Sequence, residues 1–279
     1  MEKKPKTTWA PVGSASTTPT DDKKRKEVPL PAPTCWIEDY EKEISVDATG
    51  RYSESYNATG TSNGYSFQRK FKLLVPLKTS TTITVEVHFK LVSQLTLTGT
   101  AAEQSAAKTL ALDKAKSDLE KGITDNWNGS YKLEVDDPVC GKKTFDIIYK
   151  AVWVTSAEHY VLNVHTTYAR EGVAGLVVDV SAATTAWVYA HEFGHCVGLP
   201  DEYSYSLDTE TVKYYKPDGT LDAAISAPPD GKSATDADAT IMAAYGSLKK
   251  LPRHAWNIAI ETQSLLTEKI GRAIKCDII

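Results

Sequence analysis

Between Ala186 and Tyr203 the chain reads AWVYAHEFGHCVGLPDEY, in which His191 and His195 stand four residues apart and Glu192 follows the first of them. Residues i and i+4 share one face of a helix, so two imidazoles can converge on one point. Glu192 lies about 100° further around the same helix, beside that point and not on it. Zinc suits this geometry: neutral histidines bind the ion, a water held on it becomes nucleophilic near neutral pH, and an adjacent carboxylate moves the proton. Because histidine must be neutral to bind, such an activity is expected to fall as pH drops towards about 5 to 6.

A catalytic zinc site has three protein ligands and an open position. Gly198 can adopt a positive φ and end the helix sharply, and Pro200 cannot continue it, so the chain doubles back and Asp201 can reach the open side of the metal. Asp236 and Asp238, which closely precede Met242, are alternatives, as are Glu202 and Glu261. His88, His159 and His165 fall in strand-like text, whereas His254 at a helix start is better placed to support a ligand. Cys196 is rotated off the metal-facing stripe, which predicts core packing or a disulfide.

HEFGHCVGLPD resembles the extended HExxHxxGxxH/D pattern of the metzincin zinc peptidases, and aspartate in the last place is similar to the snapalysin branch. The resemblance implies Zn2+ held by His191, His195 and Asp201, with Glu192 as general base. It also implies a methionine in a tight turn beneath the metal, for which Ala239-Thr240-Ile241-Met242-Ala243-Ala244-Tyr245-Gly246 is the match. Tyr245 is then the candidate transition-state donor, although it stands three residues past the methionine where the family places its tyrosine two past. The block LPDEYS with the Asp/Ser/Pro-rich stretch after it also looks like the metallopeptidase domains at the ends of type VI secretion spike proteins. That likeness implies a secreted or injected toxin that reaches the periplasm of a target cell, with a secretion-apparatus or carrier partner on its N-terminal segment.

Behind this segment must stand the elements that aim it. Residues 1–34 are rich in Pro, Thr, Ser and Lys and read as a linker or tail. Residues 65–98 alternate as a β-hairpin, and 101–125 place Leu112, Ala115, Leu119 and Ile123 at helical spacing. Three strand-like runs follow at 143–156, 158–168 and 174–180, and Pro252 opens a last helix. The stretch 203–240 has little periodicity and reads as a long lid or binding loop. These elements make an α+β fold, and the resemblance makes it metzincin-like: a twisted mixed sheet, a backing helix, an active-site helix and a C-terminal helix. Residues 35–279 form the catalytic domain, with 35–100 as a β-rich N-terminal subdomain.

Of the 279 residues 41% are hydrophobic and 24% charged, with a formal net charge of −4, so no broad basic surface points to nucleic acid. No apolar run is long enough for a membrane span, and the N-terminus lacks a signal-peptide core. The four cysteines, Cys35, Cys140, Cys196 and Cys276, are scattered without CxxC spacing and allow three connectivities or buried thiols. A metalloendopeptidase acting on polypeptide is the leading expectation. A zinc amidase acting on cell-wall peptide uses the same chemistry, and a zinc-stabilised binding module would have no need of Glu192.

Overall fold

The computed structural model describes residues 35–46, 53–56, 69–204, 210–227 and 239–279; the tail, Asp236 and Asp238 lie outside them. The chain opens with β1 (Tyr40–Val46), β2 (Ser53–Tyr56), β3 (Arg69–Val75) and the long β4 (Thr82–Gln94). In β4 the alternation of Ile83, Val85, Val87 and Phe89 buries one face of the strand completely, and the polar residues between them face outward. Helix α1 (Ala101–Asn126) begins at a capping box, in which Thr100 and Glu103 exchange hydrogen bonds, and buries Ala115, Leu119 and Ile123.

Strands β5 (Lys132–Asp137), β6 (Gly141–Trp153), β7 (Tyr160–His165), β8 (Gly172–Ala174) and β9 (Val177–Ser181) lead to helix α2 (Ala186–Cys196). Beyond it come β10 (Glu210–Tyr215), β11 (Leu221–Ala227), a 3-10 turn at Pro252–Ala255, helix α3 (Trp256–Ile270) and β12 (Lys275–Ile278). Among the described residues a nine-stranded mixed sheet runs β12-β5-β6-β4-β7-β9-β8, and β1 joins it through β3, which pairs with β4. β4 is parallel to β6 and β7, β7 is parallel to β9, and β8 closes the sheet as an antiparallel edge. The architecture is α+β: a mixed sheet with three helices.

Two expectations change. The run 174–180 is not one strand, because the chain reverses at Gly175 (φ 59°) and makes the β8–β9 hairpin. The expected long loop after Tyr203 contains the β10–β11 hairpin, turned at Pro217-Asp218-Gly219 and paired through β10 with β2. In β10, Val212 and Tyr214 alternate inward, but four to six residues of alternation are too few to stand out from a polar stretch.

β1, β3 and β4 share one hydrophobic core with α1, α2 and the strands beside the site. Gly122 lets α1 lie against α2, since a Cβ there would stand 2.2 Å from the Ala186 carbonyl oxygen. Cys35 and Cys140 form a disulfide across 105 residues of chain, while Cys196 and Cys276 are free and buried. Among the described residues no helix is long and apolar enough to cross a membrane.

Candidate metal centre

Helix α2 is apolar on nearly every side and lies inside the protein: every residue from Tyr189 to Cys196 is buried, including His191, Glu192 and His195. Side chains from other elements fix its C-terminal carbonyls. Trp127 Nε1 donates to Ala190 O at 2.8 Å, Tyr160 Oη to Cys196 O at 3.0 Å, and Asn257 Nδ2 to Val197 O. The helix ends in a Schellman motif: Gly198 has φ 106°, its N–H donates to His195 O, and the Leu199 N–H reaches Gly194 O, both at 3.0 Å. Leu199 is buried as the apolar residue of that motif, and the reversal carries Pro200 and Asp201 back over the helix.

Each histidine is oriented from behind. His191 Nδ1 donates to Ile241 O at 2.9 Å and His195 Nδ1 to Leu199 O at 2.7 Å, so the proton of each neutral ring is held by a main-chain carbonyl. Both Nε2 atoms then present lone pairs, and both face Asp201 Oδ1, at 3.1 Å from His191 and 3.3 Å from His195. Two ligand atoms on a tetrahedral zinc are about 3.3 Å apart, given bonds of about 2.0–2.1 Å. The three ligand atoms all lie within 4.8 Å of one another, and among the described residues no other group of His, Cys, Asp and Glu forms such a cluster. The cluster can bind a metal ion.

Without an ion, protons must serve in its place. Burial opposes charge on His195, but the Asp201 carboxylate outweighs it and pushes the imidazole up to about 9. His191 is raised in the same way, burial being overcome by the hydrogen bond and charge of Asp201. Asp201 is largely shielded from solvent too, and the two imidazoles still hold it well below the usual carboxylate range. Glu192 behaves differently: burial pushes its carboxyl up against the pull of the histidines, and its Oε2 is buried with no hydrogen-bond partner.

Met242 lies directly beneath α2. A Cβ on Gly194 would stand 2.7 Å from its sulfur, so the glycine is what allows the turn to approach. The turn is pinned by Ile241 N–H to Lys249 O at 2.9 Å and by Trp187 Nε1 to Ser247 O at 2.8 Å. Tyr245 does not enter the cavity. It sits 71% exposed against Trp187 in the first turn of α2, with ring centroids 4.9 Å apart, and is not part of the cavity wall.

Of the alternative ligands, Glu202 points the opposite way from Asp201. It is buried among Thr240, Arg253 and His254. Glu261 pairs with Lys42 at 3.2 Å, His159 stacks on His88, and His165 bonds Asp179 at 2.8 Å. Cys196 is core.

A cavity of about 320 Å³ opens over the cluster. Besides His191, Glu192, His195 and Asp201, its wall includes the edge strand β8 together with Arg170, Glu171, Asp179 and Tyr203. The last four were not picked out from sequence. Tyr203, two residues past Asp201 and stacked near His191 with ring centroids 6.4 Å apart, had a usable signal in its adjacency to the ligand. Arg170 Nη2 donates to the Tyr203 hydroxyl at 3.2 Å, and Glu171 accepts from Thr184 at 2.8 Å and Ser181 at 3.1 Å. Arg170 and Glu171 come from the segment before β8 and Asp179 from within β9, and only the fold brings them to the cluster. Comparisons with protein-family models, with curated proteins and with solved structures return no match to this chain.

Proposed function

We propose that the chain is a zinc-dependent metalloendopeptidase with a metzincin-like catalytic arrangement, in which His191, His195 and Asp201 hold the ion. The observation that carries this reading is three acceptor atoms converging within 4.8 Å beside a buried carboxylate, Glu192, whose Oε2 has no partner. Convergent acceptors need a cation, and a carboxylate left buried and incomplete is costly unless it has work to do. A zinc ion held by His191, His195 and Asp201 would supply polarisation of a peptide carbonyl and a water of lowered pKa.

The protein's own part follows from position. Glu192, one residue around the helix from His191, takes the proton of the attacking water and returns it to the leaving nitrogen. Arg170 and Tyr203 supply hydrogen-bond donors on the cavity wall, which suits an oxyanion developing on the carbonyl. Among the described residues β8 ends the sheet, and it lines the cavity, so an extended substrate can add to it as a further strand, with its backbone held next to the ligands. That feature favours polypeptide over the short cross-links of cell wall.

The setting we infer is a secreted or periplasm-delivered effector whose N-terminal segment engages a carrier. The Cys35–Cys140 disulfide supports an oxidising destination. The test is cleavage of an unfolded polypeptide such as casein by the zinc-loaded protein, with purified cell wall in parallel. Casein cleavage that chelation abolishes and zinc restores is expected. Cleavage of cell wall alone would favour the amidase, and loss of fold on chelation with no activity against either would favour the binding module.

A further inference from the structure

We propose that Glu202 is a positioning residue, which locks the peptide carrying Asp201 onto the methionine turn and α3 and thereby sets the third metal ligand. The proposal rests on the metal reading above and extends it to a residue that touches no metal. Both carboxylate oxygens of Glu202 are fully engaged. Oε1 accepts from Arg253 Nε at 2.8 Å and His254 Nε2 at 3.1 Å, and Oε2 accepts from Arg253 Nη2 at 2.9 Å and Thr240 Oγ1 at 2.5 Å. Its backbone takes part as well, since the Glu202 N–H donates to Met242 O at 2.8 Å.

These bonds tie the ligand set together from behind. Thr240, which donates to Glu202, also accepts from the Met242 N–H at 3.2 Å, and the residue between them, Ile241, offers the carbonyl that orients His191. The clamp on Asp201 and the clamp on His191 therefore share one three-residue segment, 240–242. Arg253 and His254 lie in the 3-10 turn that precedes α3, and their two-pronged and single bonds fix the direction of the Glu202 side chain. Asp201 and Glu202 are adjacent, so fixing the Glu202 backbone on Met242 and its side chain on Arg253, His254 and Thr240 limits where the Asp201 carboxylate can stand, and it stands 3.1 and 3.3 Å from the two histidine Nε2 atoms.

Cobalt(II) titration of the metal-free protein, followed by the visible absorption of the ion, provides the test, with far-ultraviolet circular dichroism confirming the fold of every variant. Wild type is expected to take one cobalt per chain. Glu202→Gln is expected to bind about 10- to 100-fold more weakly, with altered bands that report a displaced carboxylate ligand. Arg253→Lys and Thr240→Val, which each remove part of the clamp, should shift affinity and bands in the same direction by less.

A folded Glu202→Gln that binds cobalt with wild-type affinity and bands overturns the proposal and leaves the metal reading standing. If Glu202→Gln does not fold, the two milder variants decide: weakened binding in either supports the positioning role, and wild-type binding in both overturns it. A wild-type protein that takes no cobalt overturns the metal reading and this proposal together.

Discussion

Asp201 and Glu202 are neighbours in the chain with opposite surroundings. Asp201 meets two imidazole nitrogens whose rings are already bonded to main-chain carbonyls through the other nitrogen, so with both rings neutral acceptor faces acceptor and a metal ion or a proton has to join them. Glu202 meets a guanidinium, an imidazole and a hydroxyl, and each of its oxygens has donors enough. The second cluster is complete with protein alone. The first has to take up a metal ion or a proton, and we read that difference as a site that binds beside one that supports it.

The comparison can be broken most forcefully at Glu192. Glu192→Gln should lower peptide cleavage about 10²–10⁴-fold, measured as kcat/KM, while zinc content stays at the wild-type value. A parallel loss of zinc would move Glu192 from proton transfer to ligation. The next contrast sets the two neighbours against each other. Asp201→Asn should weaken zinc binding by more than the roughly 10- to 100-fold attached to outer partners, as read by competition with a chromogenic chelator. Glu202→Gln, besides its milder effect on metal binding, should cost about 3–5 kcal/mol of metal-free stability in denaturant unfolding, because it leaves the buried His254 and the partly buried Arg253 without their carboxylate.

Acidity offers a subtler separation. In the metal-free protein His195 is raised from 6.5 to about 9, so its pairing with Asp201 stabilises the fold fully below about pH 6.5 and is lost as pH rises through about 9. Asp201 is depressed from 3.8, so its share is present above that value and is lost only in strong acid. Metal-free protein should therefore melt a few degrees lower at about pH 9 than at about pH 7, whereas the zinc-loaded protein, whose ring nitrogens carry the ion, should not. Scanning calorimetry with and without zinc reads the difference. The smallest effect belongs to Tyr245→Phe, which should leave cleavage unchanged, since the hydroxyl stands outside the cavity on the exposed face of the turn.

How much of this was legible in the sequence follows from the range of each interaction. His191, Glu192 and His195 are placed by helical spacing, which four residues suffice to define, and Gly198 ends that helix with a positive φ as its position suggests. The third ligand is harder. Asp201 and Glu202 differ by one residue, and only Arg253, His254 and Thr240, from segments about 40 to 50 residues later, decide which of the two turns inward. Arg170, Glu171 and Asp179 were invisible for the same reason: they meet the helix through the β8–β9 hairpin, whose reversal at Gly175 was hidden in a run that looked like one strand. The alternation of β4 and the period of α1 were plain because they are long. The β10–β11 hairpin was missed although Pro217-Asp218-Gly219 marked its turn.

The most direct measurement is the zinc content of the intact chain by native mass spectrometry, for wild type, Glu192→Gln and Asp201→Asn at equal free zinc. The account predicts one zinc per chain in wild type and in Glu192→Gln, and none retained in Asp201→Asn. A wild type without zinc, or an Asp201→Asn protein that keeps it as tightly as wild type, would contradict the assignment of His191, His195 and Asp201 as the metal centre.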